Sequence, residues 1–242
     1  NNAVLTIEPG TVIRGDDKTC GTLVITNGAK IMAEGLETDP IVFTSDKGTT
    51  ERKPGDWGGI IILGKAPINK LGGISTLPFD LDPTLNHYGG QDAEDNSGIL
   101  KYVRIEYSGR KLSALKELNG LSLAGVGHKT VLSNIQISYS NDDSFECYGG
   151  NLNMNNLVSY RTTDDDFDFT QGAQINISNS IAIRHPFSSD ISGSRCFEAD
   201  SYDKIENTDM TKKMTKINAN NITLVNMEEN NQGLVRESVH IR

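Results

Sequence analysis

The chain has 242 residues, enough for one large domain or two small ones, and its 32 acidic against 23 basic side chains give a formal net charge of -9. That balance speaks against nucleic acid as a partner, because phosphate binding needs clustered Lys and Arg, and leaves cations and neutral or basic ligands. Hydrophobic residues at 36% and aromatics at 6% are lean for a globular core, yet they suit a thin solenoid whose coils each supply only a few inward side chains.

Along the chain, LTIEPGTVI at residues 5–13 and LVITNGAKI at residues 23–31 superimpose at an offset of 18, two short strands around a glycine turn each time. Ile41 to Thr44 and Ile60 to Leu63 continue the series, with Trp57 expected to plug the space between coils. Residues 65–97 break the rhythm with Pro67, Pro78, Pro83 and several glycines. A loop this long is usually functional or disordered. It carries His87 and Tyr88 on a polar lip, both candidate ligand contacts.

The rhythm returns at Leu100, where Val103 and Ile105 correspond to Ile135 and Ile137, and Leu121 to Leu123 reads as a further strand. The plan is clearest in VLSNIQISYSNDDSFECYGG followed by LNMNNLVSYRTTDDDFDFTQG, residues 131–172. Aligning Ile135 with Val158 gives 23 residues, and aligning the acidic tracts gives 22, one coil of a solenoid. Asn156 and Asn179 share one coil position, where stacked Asn satisfies backbone groups and tolerates left-handed conformations. After a second irregular region, residues 185–216, a coil resumes at Asn221.

Helical periodicity is nearly absent and no hairpin dipeptide joins the strands in pairs, so a parallel stack is expected. The expectation is therefore all-β: a single-stranded right-handed parallel β-helix of about nine coils of roughly 18–23 residues. It would be one domain over residues 1–242, with insertions at about 65–97 and 185–216. At about 4.8 Å per rung the rod would be on the order of 45 Å long. Cys20, Cys147 and Cys196 lack metal-ligand spacing, and their odd number argues for buried free thiols. No apolar run approaches the roughly 18 residues of a membrane span. The chain opens at Asn1 directly on a strand pattern, which reads as a fragment of a longer chain.

Several stretches together, LTIEPGTVIRG, PIVFTSD, PGDWGGIIILGKAPIN, YGGQDAEDNSGILKYVRIEYSG and DDSFECYGG with DDDFDF, carry a resemblance. The chain resembles a family of exported or surface proteins of Bacteroides-type bacteria with a right-handed, pectin lyase-like parallel β-helix. The resemblance implies secretion or a cell-surface, outer-membrane-associated location, a lipid anchor or sorting tail outside this segment, and an extracellular glycan or surface protein as partner. It does not decide activity, because the fold hosts lyases, hydrolases, adhesins and tailspikes.

The acidic tract is the leading candidate site. Asp142, Asp143 and Glu146 lie one coil from Asp164, Asp165, Asp166 and Asp168, and like charges about 4.8 Å apart repel unless protonated, solvated or bridged by a cation. Asp143, Glu146, Asp165, Asp166 and Asp168 are the candidate ligands of a calcium ion, which takes oxygen ligands. Phe145 and Phe167 are expected to point inward. Asp142, Asp143, Arg161, Arg184, His87 and Tyr88 are the candidate ligand contacts.

Two catalytic readings stand beside this one. A lyase would pair calcium with Arg161 or Arg184 as the base, and an inverting hydrolase would need a wider carboxylate pair such as Asp143 with Asp168. Neither the Asn-Thr-Asp nor the Gly-His-Gly motif of polygalacturonases occurs. The functional expectation is a non-enzymatic surface domain that binds glycan or mediates adhesion, with calcium on its acidic rungs. A polysaccharide lyase is the alternative and a structural stalk the third option.

Overall fold

The alternating apolar residues form strands that stack instead of folding back. The computed structural model describes residues 2–77, 79, 82, 84–113, 116–202, 204–226 and 234–242, and its long strands fall into two parallel sheets. In the first, Val4–Ile7, Lys30–Glu34, Gly98–Glu106, Val131–Ser138, Asn151–Tyr160, Gln174–Ile183 and Lys216–Val225 follow one another. Val12–Gly15 and Ile41–Ser45 extend its second half through pairing to Gly98–Glu106. The second sheet stacks Thr22–Ile25, Gly59–Leu63, Leu121–Ala124, Phe145–Tyr148, Phe167–Thr170, Phe197–Ala199 and Val239–Ile241.

The chain visits both sheets once per turn, which makes it a parallel β-helix. Among the described residues there are seven turns, fewer than the nine expected from sequence. The reason is visible at the start of the chain. Residues 5–13 and 23–31 resemble each other at an offset of 18 although they are not successive coils: Leu5 lies beside Ile31, a true offset of 26, and Leu23 belongs to the second sheet. Seven rungs make six steps, a stack of about 29 Å instead of 45 Å.

Each long strand of the first sheet bends once. The bend falls on a residue in the left-handed region, Tyr102, Asn134, Asn156, Asn179 and Asn221 in turn, with φ between 50° and 55°. Asn tolerates that conformation better than other residues with a Cβ, so the expectation of structural Asn positions holds, and Tyr102 is the costlier member of the row. A second tight turn, Gly149-Gly150 with φ of 68° and 83°, links the two sheets after Tyr148. A Cβ on Gly150 would lie 2.4 Å from the Val126 carbonyl oxygen, so glycine is required there.

Inward side chains from both sheets build one core. Leu100, Leu132, Met154 and Ile177 stack from the first sheet, and Phe145, Phe167 and Phe197 from the second. Phe145 and Phe167 are 5.3 Å apart between ring centroids and nearly parallel. Trp57 is buried as expected, with its indole N–H donating to the Glu106 carbonyl at 2.8 Å. Cys147 and Cys196 are buried free thiols, whereas Cys20 is half-buried. Among the described residues, antiparallel pairing is limited to two short ribbons, Ile74–Ser75 with Tyr88–Gly89 and Lys111–Ser113 with Lys116–Glu117, and one isolated bridge, Lys70 with Thr208. No helix among the described residues is long and apolar enough to cross a membrane.

Candidate functional site

Alternation along the second sheet decides which acids face out. With Phe145, Phe167 and Phe197 in the core, Glu146, Asp168 and Glu198 occupy the next position on three successive rungs and point away from it. The turns entering those strands carry more acid. Asp143 and Asp165 sit at equivalent places, and each carboxylate accepts the backbone N–H of the next rung: Asp165 N–H to Asp143 at 2.9 Å, Arg195 N–H to Asp165 at 2.5 Å. Asp142 and Asp164 flank them.

Two groups of carboxylates converge. The oxygens of Asp143, Glu146 and Asp168 lie within 4.8 Å of one another, as do those of Asp142, Asp143 and Asp164. Burial drives the Asp143 and Asp168 carboxyls well above the usual carboxylate range, and the neighbouring acids, Asp142 for the first and Glu198 for the second, push the same way. Asp142 is raised well above its ordinary value by burial and by Asp164, and Asp164 is raised to about 7 by burial and by Asp190. Each shift records burial first, and then acids crowded together without enough countercharge.

The irregular segments wall this row into a cleft of about 310 Å³, lined among others by Lys70, Tyr88, Glu146, Asp168, Thr170, Glu198, Asp200 and Arg242. The 65–97 insertion is fastened across the rungs: the Asn69 N–H donates to the Gln171 carbonyl at 3.0 Å, its side-chain amide to the Ser201 carbonyl at 2.8 Å, and the Tyr88 hydroxyl to Gln171 Oε1 at 2.9 Å. Asn119 and the Tyr148 hydroxyl both donate to Glu146. At the far end Arg195 pairs with Glu198 at 2.7 Å, and Arg242 pairs with Glu198 and, at 2.7 Å, with Asp200.

Two buried oxygens in the cleft lack a hydrogen-bond partner among the described residues, Oδ1 of Asp168 and the hydroxyl of Thr170, whose residue is only 6% exposed. Buried polar atoms are rarely left so. An all-oxygen set of Asp143, Glu146 and Asp168 fits a hard cation such as calcium and does not suit zinc or copper, which favour nitrogen and sulfur.

Three of the expected metal ligands, Asp143, Glu146 and Asp168, therefore come together, while Asp165 and Asp166 do not join them. Asp165 caps the next turn. Asp166 is wholly buried and pairs with Arg184 at 3.0 Å. This corrects the expectation for Asp166 as a cation ligand and for Arg184 as a base or ligand contact, since neither side chain has any exposed surface. Arg161 sits at the coil position of Arg184 but is half-buried, with its guanidinium 5.2 Å from the Tyr160 ring centre. Tyr88 is a wall of the cleft, and His87 lines a separate open hollow with Lys65 and Asp92. Sequence reasoning missed Glu198, Asp200 and Arg242. Glu198 follows Asp168 by 30 residues where Asp168 follows Glu146 by 22, so the inserted loop hides the match.

Fold and site together define a parallel β-helix with an acidic, loop-walled cleft on the outside of one sheet. The chain belongs to the family of pectate-lyase-like beta helix domains, which it matches over residues 1–242. It matches no curated protein and no solved structure.

Proposed function

We propose that this chain is a non-enzymatic binding domain, displayed outside the cell, whose carboxylate cleft holds a calcium ion and through it a glycan. The observation that carries the reading is the convergence of Asp143, Glu146 and Asp168 within 4.8 Å, with Oδ1 of Asp168 buried and unpartnered. A calcium ion takes six to eight oxygens, and with one oxygen from each of these three carboxylates it would keep positions open for sugar hydroxyls. Sites with this ligand chemistry in extracellular modules bind calcium at about 10⁻⁴–10⁻³ M, the concentration range met outside cells. A polysaccharide lyase draws less support from the site. Arg184 is enclosed in the core, and Arg242 is held by Glu198 and Asp200.

The test is calcium titration by calorimetry on the wild type and on Asp168→Asn, followed by a glycan array with calcium or with chelator. Millimolar or tighter binding that Asp168→Asn weakens at least tenfold, together with glycan signals that need calcium, is the expected result. No heat with calcium, or release of an unsaturated uronate product absorbing in the ultraviolet, would overturn it.

A further inference from the structure

The bend in the first sheet creates a second concavity, remote in kind from the acidic cleft. Because every long strand turns at its left-handed residue, the outer surface is re-entrant along the whole row of bends. The result is a groove of about 660 Å³ crossing five successive strands, from Tyr102 to Asn221. It runs perpendicular to the strands and parallel to the stack. Glu37, Pro40 and the Glu106-paired Arg104 mark one end.

One wall is an amide ladder. Asn156 donates to Asn134 at 3.0 Å, Asn179 to Asn155 at 2.9 Å, and Asn221 to Asn179 at 2.8 Å. A primary amide has two N–H donors and an oxygen with two lone pairs, so an amide that gives one hydrogen and accepts one still has a donor and an acceptor to offer. Asn156, Asn179 and Asn221 are solvent-exposed and present that remainder outward. The opposite wall comes from the residues two places on, where Gln136, Val158, Ile181 and Thr223 stand in register on successive rungs. Beyond Arg104 these walls are uncharged.

We propose that this groove is a track for a neutral, extended, 1,4-linked glycan, bound with one sugar on each rung. Hydroxyls accept and donate together, as the spare valences of the Asn ladder require, and Val158 and Ile181 suit the C–H faces of sugar rings. The spacing agrees as well: rungs recur at about 4.8 Å, close to the advance of one sugar in such a chain, and five rungs span about 19 Å. A polyanion would find only Arg104, already paired. An extended peptide would place its backbone against side chains here, away from any strand edge. The track uses no cation and does not depend on the reading of the acidic cleft.

The experiment is calorimetry in chelator with soluble gluco-, manno- and xylo-oligosaccharides of two to six sugars. At least one series should bind, with affinity rising about tenfold or more from two sugars to five and then levelling, a change of about 1.4 kcal/mol. Ile181→Glu and Gln136→Ala should each weaken binding at least fivefold while the circular dichroism spectrum and the cooperative thermal melt in chelator stay those of the wild type, which shows that the fold survives. Ile181→Ser replaces Ile181→Glu if that variant does not fold. The proposal is overturned if no hexasaccharide binds at millimolar concentration. It is equally overturned if binding disappears in chelator or with Asp168→Asn and ignores the Ile181 variants, because the glycan would then belong to the acidic cleft alone.

Discussion

Three adjacent aspartates of identical chemistry end in three environments. Asp164 faces outward and accepts from the Ser192 hydroxyl at 3.0 Å, Asp165 caps the next turn, and Asp166 enters the core to meet Arg184. The strand begins only at Phe167, so no alternation governs the turn before it, and the sequence alone cannot sort the three. Asp166 is also held by Ser159, which is linked at 2.6 Å to Ser144. Removing one partner of a buried ion pair strands the other charge, so Arg184→Ala should lower stability by about 3–5 kcal/mol. The double variant Asp166→Leu with Arg184→Met should recover most of that loss, because neither charge is then left alone in the core. Urea denaturation followed by circular dichroism measures both, and a double variant no better than the single one would show that the pair does more than neutralise itself.

At the scale of elements, the stacked strands were legible because inward and outward positions repeat. Phe145 and Phe167, 22 residues apart, announce two rungs in register, and Asn156 and Asn179 announce the bend. The coil count was not legible, since at residues 5–31 strands of different sheets share the same alternation. Nor was the cleft, whose second wall is the 65–97 insertion: nothing in its composition says on which face of the helix it lies. Its attachment is specific and open to test. Tyr88→Phe removes the hydroxyl that donates to Gln171 while keeping the ring that faces Tyr148 at 6.2 Å. The expected loss is about 0.5–1.5 kcal/mol, the net contribution of one hydrogen bond. It should come with faster amide exchange over residues 66–77, whereas exchange in the core strands should hardly change. Uniformly faster exchange would mean that Tyr88 supports the stack and not the insertion.

For the whole molecule, the crowded carboxylates set how stability depends on pH. Asp164 titrates at about 7 when folded against an ordinary 3.8, and Asp142, Asp143, Asp165 and Asp168 are shifted in the same direction by burial. A carboxyl with a raised folded value binds its proton more tightly in the native state. Its contribution is therefore fully present below about pH 4 and is lost as pH rises through the folded value. Glu117, Asp190 and Asp200 add to the repulsion, while Arg184 acts against it at Asp164. In chelator the melting temperature should thus fall between pH 5 and pH 8, on the side of neutrality where paired carboxylates would hold stability level. Calcium replaces the protons it displaces, so millimolar calcium should restore the melting temperature at pH 8 and do little at pH 5, where protons already occupy the site. Thermal melts at four pH values, each with calcium and with chelator, decide the matter. A melting temperature in chelator that rises with pH would show that the carboxylates are individually satisfied and that the cleft has no need of a cation.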